Sequence, residues 1–254
     1  MFRRLQTLTE FIPVRPFFIV KTGVIGIVCI YTAWLFLLKR PVYQHIYGIP
    51  NEANTPIVQQ DLFESIPEQP IQSLTINGYD IEVQLIKRFE TTARVTYVDR
   101  YTSLGTWARS HEGARLYDAV VPQDLSLATG WVGEHPKCFD FSHEYRLGEG
   151  IPNQKCIHQN EFDISQWHRF VSNNHTIAAT PMVQKGLDIL KAGDIAHIKG
   201  YLVYWNGTGA LRYQRFESAI VPNQMSKYII MGQRGQLCRQ LLLTELTFDG
   251  YTFK

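Results

Sequence analysis

The feature that most constrains this chain is an apolar run of 22 residues that begins at Phe17, ends at Leu38 and contains one charged residue. A helix of this length spans about 33 Å at ~1.5 Å per residue, and a bilayer core is roughly 30 Å thick. A cleaved signal peptide has a shorter apolar region that ends in small residues, whereas this run ends in bulky residues followed by Lys39 and Arg40. The run therefore predicts an uncleaved transmembrane helix that contacts membrane lipid over residues 17–38.

Basic residues around this run indicate its orientation. Arg3, Arg4 and Arg15 precede it, whereas the segment beyond Arg40 is acidic. Basic flanks stay on the cytoplasmic side of a membrane, so the bias favours a cytoplasmic tail over residues 1–16 and an exported C-terminal domain.

The composition of the rest of the chain bears on its partners. The formal net charge is only +2, charged residues are 19% of the chain, and no cluster of Lys and Arg follows residue 40. Nucleic-acid binding requires a basic patch or stripe, so we expect no nucleic-acid partner. No phosphate-binding loop or other cofactor motif is evident, and we expect no cofactor.

Proline spacing predicts where the folded domain begins. Five prolines lie among scattered acids within residues 39–70, which is typical of an irregular spacer. The remaining residues, 71–254, are enough for one domain.

Within that domain the dominant hydrophobic period is two, which indicates β-strands. One helix is predicted after Thr180, which suits an N-cap, with Pro181 in its first turn and Gly193 as its stop. A strand with an internal Gly200 follows, as in small closed barrels whose strands bend sharply. We therefore expect a mostly-β (α+β) domain, either a curled sheet or an OB-like barrel, with about one helix.

Four cysteines bear on the redox compartment. Cys29 lies within the predicted span, which leaves Cys138, Cys156 and Cys238 as disulfide candidates. In an oxidising compartment one pair could close, and Cys138 with Cys156 is the pair closest in sequence. Buried thiols without a disulfide are the alternative.

Three segments occur in a fixed order: DLSLATGW at residues 124–131, SNNHTIAA at 172–179 and GDIAHIKGYLV at 193–203. This set resembles an uncharacterised family of single-pass bacterial inner-membrane proteins with DL-small-x-A-x-G-W, S-x-N-x-H-x-I-x-A and GD-x-V-x-x-x-G-Y-L-V segments. The resemblance implies a membrane anchor with an exported domain and brings no activity with it. A further Ser/Arg segment of that family is matched here only loosely, around Arg215.

Polar residues near the predicted helix are the main candidates for a binding site. His175 follows Asn173 and Asn174 and precedes a helix N-terminus, where free N–H groups favour an anion. The alternative is that these side chains only satisfy backbone groups in a buried turn. An acid such as Asp124 or Asp194 beside His175 would instead suit a hydrolase or a metal-dependent enzyme.

Two further sequence patterns bear on possible binding sites. Trp131 and other aromatic residues of the domain could line a groove, although aromatic residues on strands more often belong to a core. Cys and His residues lie between Cys138 and His175, but their spacing lacks the two close pairs of a structural zinc site. We therefore predict no metal site and assign no catalytic residue.

The sequence supports one leading function and two alternatives. The leading expectation is a membrane-anchored envelope protein whose exported domain is a binding or assembly module for another envelope protein. Its weak binding candidates are Asp124, Trp131, Asn173, Asn174, His175 and Arg215. The alternatives are a hydrolase or metal-dependent enzyme that uses His175, and a bitopic component of a secretion apparatus, which shares this layout.

Overall fold

The structure is a computed structural model that describes residues 16–51, 55–101, 117–144, 147–153, 156, 167, 169–207, 215–216 and 239–254. The chain divides into two compact units, Met1–Val42 and Tyr43–Lys254. Cys238, one of the three disulfide candidates, lies outside the described residues.

The first unit is helical. It contains α1 (Pro16–Ala33), a π-helical turn (Trp34–Leu38) and the start of α2 (Lys39–Tyr47). Large apolar side chains of α1 are exposed, among them Ile25 and Ile30. Among the residues that the structure describes, no helix is both long enough and apolar enough to cross a membrane.

The second unit is mostly β. Its helices after α2 are α3 (Gly130–Glu134), a 3₁₀ turn (Pro136–Cys138) and α4 (Pro181–Ile189). Its strands within the described residues are β1 (Ile49–Pro50), β2 (Leu62–Ser65), β3 (Ile71–Ile76), β4 (Tyr79–Arg100), β5 (Gln123–Ala128), β6 (Phe139–Glu144), β7 (Leu147–Pro152), β8 (Val171–Ala178), β9 (Ile195–Gly207), β10 (Arg215–Phe216), β11 (Arg239–Phe248) and β12 (Tyr251–Phe253).

Five of these strands close into a barrel. The order is β4, β5, β8, β11, β9 and back to β4, and every pairing is antiparallel except the parallel pair β8 and β11. Helix α4 connects β8 to β9. The sheet is therefore closed, with four antiparallel pairings and one parallel pairing. The prediction of a β-rich domain built on a curled sheet is confirmed.

The barrel interior is an apolar core. Leu125 and Leu127 of β5, Phe89 of β4, Ile198 of β9 and Leu243 of β11 are buried together in it. Side chains alternate across a strand, so the even-numbered residues of β5 lie on the outer face of the barrel. A second apolar cluster covers part of that outer face.

The described part of the predicted spacer, residues 39–70, includes α2, β1 and β2. The second unit begins at Tyr43, and Gln44 Nε2 donates a hydrogen bond to Asp249 Oδ2 at 2.9 Å. Lys185 Nζ lies 5.3 Å from the ring centre of Tyr43, and β1 pairs with β12. These contacts come from the far end of the sequence, which proline spacing does not indicate.

The predicted helix is present as α4. The Thr180 side chain accepts a hydrogen bond from the Val183 N–H at 3.2 Å, and Pro181 occupies the first turn. His175 lies within β8 and not in the buried turn that was the alternative interpretation. Five residues, including the N-cap Thr180, separate it from the first residue of α4, Pro181.

Candidate functional site

The pairing of β5 with β8 brings two of the predicted site residues side by side. Asp124 lies directly opposite His175, and Ser126 lies opposite Asn173. Because alternate residues share a face, these four side chains project from the outer face of the barrel. Both strands are buried along their whole length.

Asp124 and His175 form a close buried pair. His175 Nδ1 lies 2.8 Å from Asp124 Oδ1, and the side chains are 6% and 0% exposed. The 2.8 Å separation places the imidazole edge directly against the carboxylate. The Tyr101 hydroxyl donates to the second carboxylate oxygen of Asp124 at 2.9 Å.

A second group of side chains continues from His175 across the barrel face. The ring of Tyr117 meets the imidazole edge to face at 5.8 Å between centres. Trp205 Nε1 donates to Gln240 Oε1 at 3.1 Å, and Gln240 Nε2 donates to the Tyr117 hydroxyl at 2.8 Å. An indole N–H can only donate, which fixes the amide oxygen of Gln240 on the Trp205 side.

We call these six residues the polar network: Tyr101, Tyr117, Asp124, His175, Trp205 and Gln240. Its members flank two connections of the barrel, β4 to β5 and β9 to β11. Tyr101 and Tyr117 bound the connection 102–116, and the connection 208–238 lies between Trp205 and Gln240. The network therefore holds both ends of both connections against the same face of the barrel.

The structure separates the other predicted site residues from this network. The Asn174 side chain faces the opposite side of β8, where its Nδ2 donates to the Leu125 carbonyl oxygen at 3.1 Å and to the Ser172 hydroxyl at 3.0 Å. Trp131 lies on α3, stacked on His135 at 4.4 Å between ring centres. Arg215 lies in β10, paired with Asn206 of β9.

Asp194 is the other acid predicted as a partner of His175. It lies instead in the turn before β9, near a different histidine. Its Oδ2 accepts a hydrogen bond from the Lys191 N–H at 3.0 Å, and it shares a cleft with His197. The pairing of His175 with Asp124 is therefore the one that the sheet produces.

Cys138 and Cys156 are joined in a disulfide, with their Cα atoms 5.4 Å apart. The bond closes the base of the β6–β7 hairpin, next to a small core that includes Val132 and Val171. Cys29 is a free thiol on α1.

Sequence reasoning missed four members of the polar network. Tyr101, Tyr117, Trp205 and Gln240 stand out in no sequence pattern, and Trp205 is fully buried. Their role depends on hydrogen bonds between residues up to 123 positions apart, as between Tyr117 and Gln240. No local pattern signals such a contact.

Neither a metal nor a known family defines this site. Within the described ranges, no group of three or more His, Cys, Asp or Glu side chains could hold a metal ion. The chain matches no family model, no curated protein and no solved structure.

Proposed function

We propose that this protein is a single-pass, membrane-anchored envelope protein of a bacterium whose barrel domain is a binding or assembly module. The observation that carries the binding role is the polar network, which organises the outer face of β5 and β8 where the connections 102–116 and 208–238 begin and end. By analogy, OB-type barrels bind their ligands on the face of their second and third strands, between the two corresponding loops.

The burial of the polar network indicates what its residues do. Asp124 and His175 are too buried to be the contact surface themselves. They act as positioning residues, since a buried polar network held by hydrogen bonds, such as that of Tyr101 to Asp124, rigidifies the structure around it. The contact surface is formed by half-exposed neighbours such as Ala119.

The envelope location rests on two further observations. In the sequence, the apolar run of residues 17–38 is as long as a membrane span, and exposed apolar side chains such as Ile25 and Ile30 on α1 suit a lipid environment. The disulfide between Cys138 and Cys156 suits an oxidising compartment, which in a bacterium is the periplasm.

Two other functions follow from the same observations. The 2.8 Å contact between His175 and Asp124 resembles the histidine and orienting carboxylate of a hydrolase. In that role His175 would take a proton from a nucleophile once the site opened. A bitopic component of a secretion apparatus would use the same anchor and an assembly surface on the barrel.

Photocrosslinking in cells tests the binding role. A benzophenone amino acid at Ala119 should give a discrete adduct with an envelope protein, and the adduct should disappear when Asp124→Ala is added. The same probe at the exposed Met182 on α4 is the control and should give none. Equal adducts at both positions, or none at Ala119, would overturn the proposed surface, and turnover of an ester substrate that is lost in His175→Ala would favour the hydrolase.

Labelling with a membrane-impermeant thiol reagent tests the location. After denaturation and reduction of intact cells with a permeable outer membrane, Cys138 and Cys156 should react from outside the inner membrane. Protection until the inner membrane is opened would place the domain in the cytoplasm.

A further inference from the structure

The second unit begins with a pair of tyrosines on α2. The rings of Tyr43 and Tyr47 meet edge to face at 5.3 Å between centres, and both pack against the apolar core of the barrel. Gln44, next to Tyr43, is buried and donates a hydrogen bond to Asp249 Oδ2. These contacts fix which side of the last two turns of α2 faces the barrel and which side is turned outwards.

Helix α4 lies against the same tyrosines. Lys185 Nζ lies 5.3 Å from the ring centre of Tyr43 and 5.8 Å from that of Tyr47. On the opposite face of α4, Val183 and Leu187 are buried in the core. The two helices therefore present one common surface, in which a lysine ammonium group lies over two aromatic rings.

Two large aliphatic side chains are exposed beside this group. Met182 precedes Lys185 by one turn of α4 and is 42% exposed, and Ile46 follows Tyr43 by one turn of α2 and is 61% exposed. Residues three apart on a helix are neighbours on its surface. We call these five residues the interfacial patch: Tyr43, Ile46, Tyr47, Met182 and Lys185. Tyrosines, a lysine and exposed aliphatic side chains are the set that proteins present at the headgroup level of a bilayer.

The position of the patch in the sequence points to a bilayer as its partner. Tyr43 is the fifth residue after Leu38, the end of the apolar run that is proposed above to span a membrane. Five residues reach at most about 18 Å when fully extended. The headgroup region on each side of a bilayer core is about 5–8 Å thick. The tether therefore keeps the patch at a high effective concentration relative to the lipid surface, which a freely diffusing partner lacks.

We propose that the barrel domain docks on the phospholipid surface of its own membrane through the interfacial patch. Ile46 and Met182 insert among the lipid chains beneath the headgroups, the two tyrosine rings lie at headgroup level, and Lys185 meets the phosphates. The inference rests on the proposed membrane anchor, and it adds a second lipid contact that the domain itself makes.

Photocrosslinking of the full chain in vesicles of phosphatidylethanolamine and phosphatidylglycerol tests the proposal. A benzophenone amino acid at Ile46 or at Met182 should form adducts with lipid, detected by mass spectrometry. The matched control is the same probe at Ile71, which is 67% exposed on β3 of the same tethered domain and should give little lipid adduct. A probe at Ile25 on α1 reports on the anchor alone and should also give lipid adducts.

A charged substitution in the patch adds a second test. Ile46→Asp should lower the yield of lipid adduct at Met182 about fivefold, because it removes an inserted aliphatic side chain and adds a charge that anionic headgroups repel. Ile71→Asp, which alters a similarly exposed isoleucine, should leave that yield unchanged. The probes in the otherwise unchanged chain carry the test alone if Ile46→Asp fails to fold.

The probe at Ile25 separates failure of the docking from failure of the anchor. Lipid adducts at Ile25 with none at Ile46 and Met182, with equal yields at Met182 and Ile71, or with a crosslinked dimer at Met182 in place of lipid would overturn the docking and leave the anchor standing. No lipid adduct at Ile25 would overturn the anchor itself, and the docking with it.

Discussion

We predict that Arg239→Met destabilises the barrel domain by about 3–5 kcal/mol, because it removes one member of a buried ion pair. Arg239 Nη1 lies 2.6 Å from Asp61 Oδ2, and the two side chains are 3% and 5% exposed. The guanidinium also lies 5.2 Å from the ring centre of Phe63 and 5.6 Å from that of Phe89. The pair thus joins the start of β11 to the segment just before β2.

The magnitude follows from the geometry. Two unit charges 2.6 Å apart attract by about 6 kcal/mol at an effective dielectric constant of about 20, and desolvation of both groups offsets part of this. Without Arg239, the Asp61 carboxylate stays buried, and its Oδ1 accepts no hydrogen bond from any described residue. A loss of 3–5 kcal/mol is a large share of a typical domain stability of about 5–15 kcal/mol, and it lowers Tm by roughly 6–20 °C.

Denaturant unfolding of the full chain in detergent, followed by tryptophan fluorescence, measures this loss. The matched control is Arg88→Met, which breaks the exposed pair of Arg88 with Glu64 at 3.4 Å between β4 and β2. That variant should lose less than about 1 kcal/mol. The double variant Asp61→Leu with Arg239→Met should recover much of the stability, since replacing a buried pair by apolar side chains is often neutral.

Two outcomes would refute this reasoning. One is a loss below about 1 kcal/mol in Arg239→Met, which would mean that the pair is solvated in solution. The other is a double variant as unstable as the sum of the two single variants, which would mean that the side chains stabilise the domain independently.

Two further predictions concern the barrel wall. Gly200→Ala should destabilise the domain by about 2 kcal/mol or more in the same unfolding assay, because the added Cβ would overlap the backbone carbonyl of Leu242. A loss under about 0.5 kcal/mol would contradict the close approach of β9 and β11. His197→Gln should reduce the loss of folding stability on acidification. Burial lowers the pKa of His197 in the folded protein below its ordinary 6.5, so the unfolded chain binds more protons. Wild-type stability therefore falls as the pH drops from about 6.5 towards the folded-state pKa. Identical profiles of folding stability against pH for wild type and variant between pH 7 and 4.5 would show that His197 does not contribute to the loss of stability in acid.

Part of the fold could be predicted from local patterns. The period of two predicted a β-rich domain, and Thr180 with Pro181 predicted the start of α4. Both signals act over a few residues: side-chain alternation belongs to any strand with one buried face, and an N-cap depends only on the first turn of its helix. The Asn77-Gly78 turn between β3 and β4 is a third local signal, with φ angles of 49° and 83°.

The candidate site was predicted only in fragments. The sequence pairs His175 with either Asp124 or Asp194 on chemistry alone. The antiparallel register of β5 and β8 decides for Asp124. Asn174, adjacent to His175 in sequence, faces the other side of the strand, because alternate residues of a strand point in opposite directions.

The sequence by itself determined the long apolar run, the β-rich character of the domain and the helix after Thr180, because hydrophobic period and capping chemistry are local properties. Only the tertiary structure decided that five strands close into a barrel and that residues 43–70 belong to the domain. It also decided that Tyr101, Tyr117 and Gln240 meet around the pair of Asp124 and His175. These contacts join residues far apart in the chain, and they form only when burial of the common core sets the register of every strand at once.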